Sequence, residues 1–487
     1  MIRLSPADLV IIFTYFGAVL FVGFRTKRNR PDSEEEFLLA GRSLTLPVFV
    51  MTLVSTWYGG ILGVGEFSYR FGISNWVVQG LPYYIFAALF AAFLTKKIRG
   101  TNLFTIPDKL EVAYDRRTAL FGSVLTFVLM TPAPYVLMLS LFLQMLFGWS
   151  MLVCVAVTAV VAVSYLSVGG FRSDVQTDML EFVLMFLGFA IILPFCIVRF
   201  GGFSFLQASL PPLHLTWHGG NSMQYILVWF FIALWTLVDP AFYQRCYAAR
   251  DGATAQKGIL ISIAFWFLFD FLTATAGLYA RAAIPRLDQP MMAYPALAEI
   301  VLPSVAKGVF YVGMLATIMS TLNTLAFVAA QTLGRDIVLR MKKHSRDVLP
   351  GQAGRYPAEG DSKDDSGGNI GGRVTGATRA GLAVAFLASA VLALSIPSVI
   401  QMWYTIGTVA IPGLLVPLVA IYFEGFRISA RFAFFSMSAG SLVSLGWLLG
   451  GLSSNASGYP LGIEPMIPGL AAALLVWAAG RISQLRG

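Results

Sequence analysis

About 13 apolar stretches, each long enough to cross the hydrocarbon core of a bilayer, run along this chain of 487 residues. They lie near 7–24, 45–68, 75–95, 118–146, 149–168, 176–198, 224–244, 258–280, 306–333, 379–395, 399–423, 430–450 and 465–480. Hydrophobic residues make up 57% of the sequence and charged residues only 12%, which excludes an ordinary soluble globule. The pattern predicts an all-α polytopic membrane protein with about 13 transmembrane helices.

Positive charge is distributed unevenly over the predicted loops. Most of the 34 Lys and Arg residues fall in alternate loops, among them 25–42, 96–117 and 335–379. By the positive-inside rule these loops face the cytoplasm, which places the N-terminus outside and the C-terminus inside the plasma (inner) membrane. The formal net charge of +9 then reflects topology in a lipid bilayer, and no nucleic-acid partner is expected.

One segment has neither the composition of a span nor that of a packed loop. Residues 341–377 are polar, rich in Gly and mixed in charge, so we expect a flexible cytoplasmic linker. Whether it only connects two helices or binds a regulator is open. The rest of 1–487 is expected to form a single transmembrane domain.

A dense cluster of hydroxyl and amide groups marks the apolar helix expected between Ala316 and Val338. Five polar residues fall within about two helical turns, which exceeds what helix packing in a membrane requires. They are Thr317, Ser320, Thr321, Asn323 and Thr324. Because sodium prefers hard oxygen ligands, we expect a sodium ion at this cluster.

Two spans carry residues that interrupt helices. The stretch 45–68 contains Trp57-Tyr58-Gly59-Gly60, and the stretch 224–244 contains Asp239-Pro240. The interrupted spans begin two consecutive groups of five spans, and because five is odd the groups have opposite membrane polarity. This pattern is typical of an inverted repeat with a binding site between the breaks.

Several segments resemble the sodium:solute symporter family. VSTWYGGILGVGEFSYRFGISNW resembles its first core helix, GGFRSDVQTDMLEFVLMFLGF its fifth, DPAFYQRCYAARDGATAQKG its sixth and ATIMSTLNTLAFVAAQTLGRDIV its eighth. The resemblance implies a leucine-transporter-like five-plus-five inverted repeat, with one helix before and two after it, and core repeats at about 45–198 and 224–423. The implied function is sodium-coupled symport of a small organic solute by alternating access.

The resemblance also implies the sodium ligands. They are backbone carbonyls near Leu53, Thr56 and Thr317 together with the hydroxyls of Ser320 and Thr321. A second sodium site, which a subset of the family has, would combine Asp178 with Ser320, Asn323 and Thr324. Alternatively, Asp178 pairs with Arg172 or caps its helix, so the number of sodium ions per cycle, one or two, is open.

Acidic residues within spans are functional candidates, because each costs about 2.5–3.5 kcal/mol at a helix centre. Besides Asp178 these are Asp239, Asp270 and Glu66. Each has a structural alternative: a turn at the break for Asp239, a bond to a neighbouring break for Asp270, and an interfacial pair with Arg70 for Glu66.

The solute is expected between the two breaks, where aromatic side chains surround a polar centre. The candidate contacts are Trp57, Tyr58, Gly59, Pro134, Tyr135, Trp235, Asp239, Trp403 and Tyr404. Trp403 and Tyr404 have an alternative role in an aromatic belt at the membrane interface. No Lys or Arg is expected at mid-membrane, so a solute carboxylate would have to bind to helix-end amides. Asp239 leaves room for an amine or a hydroxyl.

Three other functions are alternatives to sodium symport. Proton coupling would rest on Asp178, Asp239 or Asp270. A solute sensor would carry a signalling region, whereas this sequence ends at Gly487 soon after the last predicted span. An enzyme would need a nucleophile with a base, or metal ligands, and the sequence offers neither.

Overall fold

Long apolar helices account for most of the structure. The computed structural model describes residues 4–25, 33–342, 370–396, 398–453 and 459–486. Large apolar side chains such as Phe13, Leu152 and Leu475 are 60% or more exposed on the outside of the bundle. An apolar exterior of this kind suits contact with lipid, and the chain is an all-α polytopic membrane protein.

The helices are numbered in chain order. The first eleven are α1 Pro6–Arg25, α2 Glu34–Leu39, α3 Leu46–Trp57, α4 Ile61–Phe71, α5 Leu81–Phe93, α6 Thr95–Arg99, α7 Ile106–Ala113, α8 Arg116–Leu129, α9 Ala133–Phe147, α10 Met151–Phe200 and α11 Phe203–Ser209. The others are α12 Met223–Ile232, α13 Pro240–Ala248, α14 Gly252–Ala283, α15 Ala293–Val301, α16 Ala306–Gln331, α17 Arg340–Lys342, α18 Ile370–Ser395, α19 Val399–Ala420, α20 Ala430–Ser453 and α21 Met466–Arg486.

The helices that could cross a membrane are close in number to the predicted spans. Within the described residues, 11 helical segments are long and apolar enough to cross a membrane, and the bent pair α3 and α4 brings the number to 12. The stretch predicted at 149–168 corresponds to a shorter apolar segment, Met151–Ser164, at the start of α10. The total of 13 spans and the inverted-repeat layout remain predictions.

Both predicted helix breaks are present. The axes of α3 and α4 are bent by 59° across Tyr58, Gly59 and Gly60. In the second case α12 passes into the 3-10 turn Ala233–Leu237, and a new helix, α13, begins at Pro240. Asp239 caps α13 by accepting a hydrogen bond from the N–H of Ala241 at 2.7 Å.

The centre of the bundle is α16, which is buried along nearly its whole length. Its closest neighbour is α10, and the two backbones approach at Gly188 and Gly313, where an added Cβ atom would lie 2.7 Å from the opposite Cα. The start of α16 is tied to α1, because the Asp8 carboxylate accepts from the N–H groups of Val305 and Gly308 at 2.9 and 3.0 Å.

One end of the bundle carries a buried ionic network, which we call the basic-end network. It joins Arg335 and Arg340 at the end of the α16 region to Glu34 of α2 and Asp108 of α7, with nitrogen to oxygen distances of 2.6 to 2.8 Å. This network fixes α2 and α7 against the central helix.

The predicted linker 341–377 is too long at both ends. Residues 341–342 belong to α17, and α18 already begins at Ile370. The apolar periodicity that set the predicted span at 379 excluded the polar first turns of α18. The intervening residues 343–369 lie outside the described residues.

Candidate ion and solute site

The hydroxyls of α16 reach the broken end of α3. Ser320 Oγ donates to the Ser55 carbonyl at 2.8 Å and lies 3.2 Å from the Thr317 carbonyl. Thr321 Oγ1 donates to the Thr56 carbonyl. Because α3 ends at the next residue, the carbonyls of its last turn lack regular helical partners and can face α16.

Gly59 completes this contact. Its N–H, which a continuous helix would direct to the Ser55 carbonyl, donates to Thr321 Oγ1 at 2.8 Å. A Cβ atom at Gly59 would lie 2.3 Å from the Thr321 side chain, so only glycine permits the approach. The carbonyls of Ser55, Thr56 and Thr317 thus meet two hydroxyls in one buried place, a donor set that fits a hard cation such as sodium. We call these three carbonyls and the hydroxyls of Ser320 and Thr321 the ion cluster.

Leu53 and Asn323, which were also predicted as sodium ligands, occupy different surroundings. Leu53 lines the cavity described below. The Thr317 hydroxyl donates to the carbonyl of Gly313 within its own helix, which leaves its carbonyl facing Ser320. Asn323 is fully buried, and its amide makes no hydrogen bond within the described part of the chain.

Asp178 lies beside the ion cluster and is paired with Arg245 at 3.1 Å. The sequence-based expectation that no Lys or Arg lies at mid-membrane did not anticipate a buried arginine beside Asp178. Arg245 belongs to α13, and its side chain is fully buried. The alternative pairing of Asp178 with Arg172 is wrong, because Arg172 pairs with Glu36 of α2.

A cavity of about 130 Å³ lies next to the ion cluster, between the breaks of the two discontinuous helices. Thr56 and Thr321 line both the cavity and the ion cluster. Six of the nine predicted solute contacts also line the cavity: Trp57, Tyr58, Tyr135, Trp235, Asp239 and Trp403.

The three other predicted contacts are placed elsewhere. Gly59 lies against Thr321, and its neighbour Gly60 lines the cavity. Pro134 is buried in the first turn of α9. The Tyr404 hydroxyl donates to Glu464, and its ring stacks on Tyr459 at 6.3 Å, so this side chain faces away from the cavity.

Several lining residues were not singled out from the sequence. They are Gln79, Tyr83, Met130, Trp229 and Phe242. The apolar and aromatic ones look the same in the sequence as lipid-facing or core residues, whereas Gln79 is a polar residue within the predicted span 75–95. Trp57 packs edge-on against Tyr83 and Phe242, with ring centroids 5.0 and 5.4 Å away, which shows why the rings gather here.

Two carboxylates border the cavity. Asp239 is 6% exposed and accepts the capping bond from Ala241. Asp270 of α14 is 4% exposed and accepts a hydrogen bond from the Tyr84 hydroxyl. Glu66 does not line the cavity and pairs with Arg70 at 2.9 Å, which is the pairing expected from the sequence.

The fold and the site define a multi-pass membrane transporter with a discontinuous first core helix. The sodium:solute symporter family model matches residues 37–349, and the chain belongs to this family. The family consists of solute transporters and not of enzymes.

Several known proteins are similar to this chain in sequence or in fold. The sodium/pantothenate symporter of Haemophilus influenzae is 28% identical over 353 residues, which cover 69% of this chain and 72% of the relative. The high-affinity choline transporter 1 of Drosophila melanogaster is 23% identical over 371 residues, or 71% of this chain and 59% of the relative. The solved structure of a Na+-coupled sialic acid symporter has a TM-score of 0.75 at 16% identity and covers 98% of both chains.

Proposed function

We propose that this protein is a sodium-driven symporter of a small organic cation, working by alternating access in the plasma membrane, with its N-terminus outside and its C-terminus in the cytoplasm. In this proposal sodium is held by the Ser55, Thr56 and Thr317 carbonyls with the hydroxyls of Ser320 and Thr321. The basic-end network then closes the cytoplasmic side while the cavity receives the solute.

The contact between α16 and the broken end of α3 carries the proposal. A sodium ion that joins Ser320 and Thr321 to the Ser55 and Thr56 carbonyls binds two helices at once. Because Thr56 also lines the cavity, a shift of α3 changes the ion site and the solute site together. Shared residues of this kind are what couple two binding events energetically.

Sodium binding is tested by thermal stability of the purified protein in NaCl and in KCl. Sodium is expected to raise the melting temperature, and the double variant Ser320→Ala, Thr321→Ala is expected to lose this gain and sodium-dependent uptake. The matched control is Thr332→Ala, because the Thr332 hydroxyl donates to the Val328 carbonyl of the preceding helical turn. An unchanged response of the melting temperature to sodium in the double variant would show that sodium does not bind at this site.

The chemistry of the cavity supports an organic cation as the solute. Aromatic rings of Trp57, Tyr83 and Trp235 supply negative π faces, and Asp239 and Asp270 supply formal negative charge. None of the described residues that line the cavity is Lys, Arg or His. Aromatic faces attract ammonium groups by about 0.5–2 kcal/mol each, and a carboxylate adds direct charge pairing.

The names of the relatives do not agree on a solute. One relative is named for pantothenate, one for choline and the structural neighbour for sialic acid. The proposed solute class therefore rests on the charge of the side chains that line the cavity. This charge favours a compound with a quaternary or protonated amine over one whose main group is a carboxylate.

The solute class is tested with probes of equal shape and different charge. Choline and tetramethylammonium are compared with the uncharged isostere 3,3-dimethyl-1-butanol and the anion 3,3-dimethylbutanoate, each in NaCl and in KCl. The cations are expected to raise the melting temperature, more so in sodium, and the isostere and the anion much less. Equal shifts for choline and its uncharged isostere would refute a cationic solute.

Asp239→Asn separates the solute site from the ion site. The variant is expected to weaken binding of the cationic probe by about tenfold or more, because a buried charge pair is lost. Sodium binding without solute is expected to change little. Glu66→Gln removes the same charge at the pair with Arg70 and serves as the control. Loss of sodium binding with intact solute binding would assign Asp239 to the ion site.

A further inference from the structure

One guanidinium nitrogen of Arg245 occupies a cage of oxygen atoms beside the sodium site. Nη2 lies 2.9 Å from Thr52 Oγ1, 2.5 Å from Thr56 Oγ1, 3.0 Å from Thr324 Oγ1 and 3.1 Å from Asp178 Oδ2. These oxygens come from α3, α10 and α16, while the arginine comes from α13. All five side chains are buried.

We propose that the Arg245 guanidinium is a tethered cation that takes the place of a second sodium ion, so that this transporter binds and moves one sodium ion per cycle. The inference rests on the proposed function, since it counts the ions of that same transport cycle. It replaces the sequence-based hypothesis that Asp178, together with Ser320, Asn323 and Thr324, holds a second sodium ion.

The orientation of the hydroxyls around Arg245 is that of a cation site. Thr52 and Thr56 donate to the Asp178 carboxylate, and Thr324 Oγ1 donates to Asp174 Oδ2 at 2.7 Å. Each hydroxyl proton is thus directed to a carboxylate, which leaves the oxygen lone pairs for the positive charge. Nη2 carries two hydrogens but has four oxygen neighbours, so it cannot donate a hydrogen bond to each of them. The oxygens therefore surround the positive charge of the guanidinium as ligands surround a cation.

The same contacts disfavour a sodium ion at this place. Asp178 Oδ2 and Thr324 Oγ1, two of the oxygens expected to bind it, already contact Nη2. A further cation would meet the guanidinium at close range in a buried setting, where like charges repel far more strongly than in water. Asp174, with its Oδ2 atom 3.9 Å from Nη2, places a second carboxylate near the guanidinium.

Thr56 connects this cage to the sodium site. Its hydroxyl faces Arg245, and its carbonyl accepts from Thr321. Movement of α13 during the transport cycle would therefore shift α3 and change the geometry of the sodium site, without a second sodium ion.

The inference is tested by counting bound sodium with ²²Na⁺ in equilibrium dialysis of the purified full-length chain. The wild type is expected to bind one sodium per chain. Arg245→Gln removes the tethered charge and is expected to bind two, and the added Asp178→Asn substitution is expected to return the count to one. Arg245→Lys, which keeps a positive charge, is expected to stay at one.

The controls separate this inference from the proposed function. Arg70→Gln removes a guanidinium on α4 that is half exposed and should leave the count at one. Two ions in the wild type would overturn the inference while sodium symport stands, and so would a folded Arg245→Gln variant that binds one. A wild type that binds none would overturn both. If Arg245→Gln does not fold, the sodium counts of the wild type and of Arg245→Lys still test the inference, because two ions in either would overturn it.

Discussion

Substituting Gly59 by Ala introduces one methyl group at the contact between the broken helix and α16. The new Cβ atom would lie 2.3 Å from Thr321 Cβ and Oγ1 and 2.7 Å from a Tyr135 ring carbon, distances that real contacts do not reach. Thr321 must therefore move away from α3. Overpacking of this kind costs about 1–3 kcal/mol. If the strain is relieved by separating the two halves of the sodium site, sodium affinity should fall about 5- to 150-fold.

The assay is the sodium concentration that gives half of the maximal thermal stabilisation in purified protein. Gly17→Ala is the matched control, because a Cβ atom at Gly17 in α1 meets no atom within 4 Å and its sodium midpoint should equal that of the wild type. A wild-type midpoint in Gly59→Ala would refute the conclusion that Thr321 and the broken end of α3 hold sodium together.

Two further predictions concern regions away from the cavity. Asp108→Asn leaves the two arginines of the basic-end network facing an amide and should cost about 3–5 kcal/mol of stability in a chemical denaturation series, whereas the exposed Glu424→Gln should stay within about 0.5 kcal/mol. Burial lowers the pKa of His214 below its ordinary value of 6.5, and its neutral ring contacts the Tyr69 carbonyl at 3.0 Å. Its contribution to stability is therefore present above about pH 6.5 and lost as pH falls through the lowered pKa; a melting series from pH 8 to 5 should show less loss in His214→Gln than in the wild type.

The sequence was sufficient to locate the helix breaks and the hydroxyl cluster of α16. Consecutive glycines at Gly59-Gly60 and the pair Asp239-Pro240 are local signals, because they act on the backbone of their own helix. The density of hydroxyls around Ser320 is also visible without coordinates. These signals and the apolar stretches predict the fold class and the neighbourhood of the site.

Arg245 could not be placed from the sequence. Hydropathy ends the span at 244 and assigns the next residue to a loop, yet the side chain turns back into the bundle toward Asp178. The direction of a single side chain depends on how α13 packs on α3 and α10, which is tertiary information. Tyr83 and Trp229 were not predicted as solute contacts for the same reason. The sequence does not distinguish whether an aromatic ring in an apolar helix faces lipid, the protein core or a cavity.

Uptake into proteoliposomes under imposed ion gradients tests the central claim most directly. The probe is the cation that stabilises the protein most in the solute panel, supplied in radiolabelled form, with the membrane potential clamped. Accumulation is expected when sodium is higher outside, is expected to vanish when sodium is equal on both sides, and is expected to be absent in Ser320→Ala, Thr321→Ala. Accumulation that follows a proton gradient and ignores sodium would contradict the account.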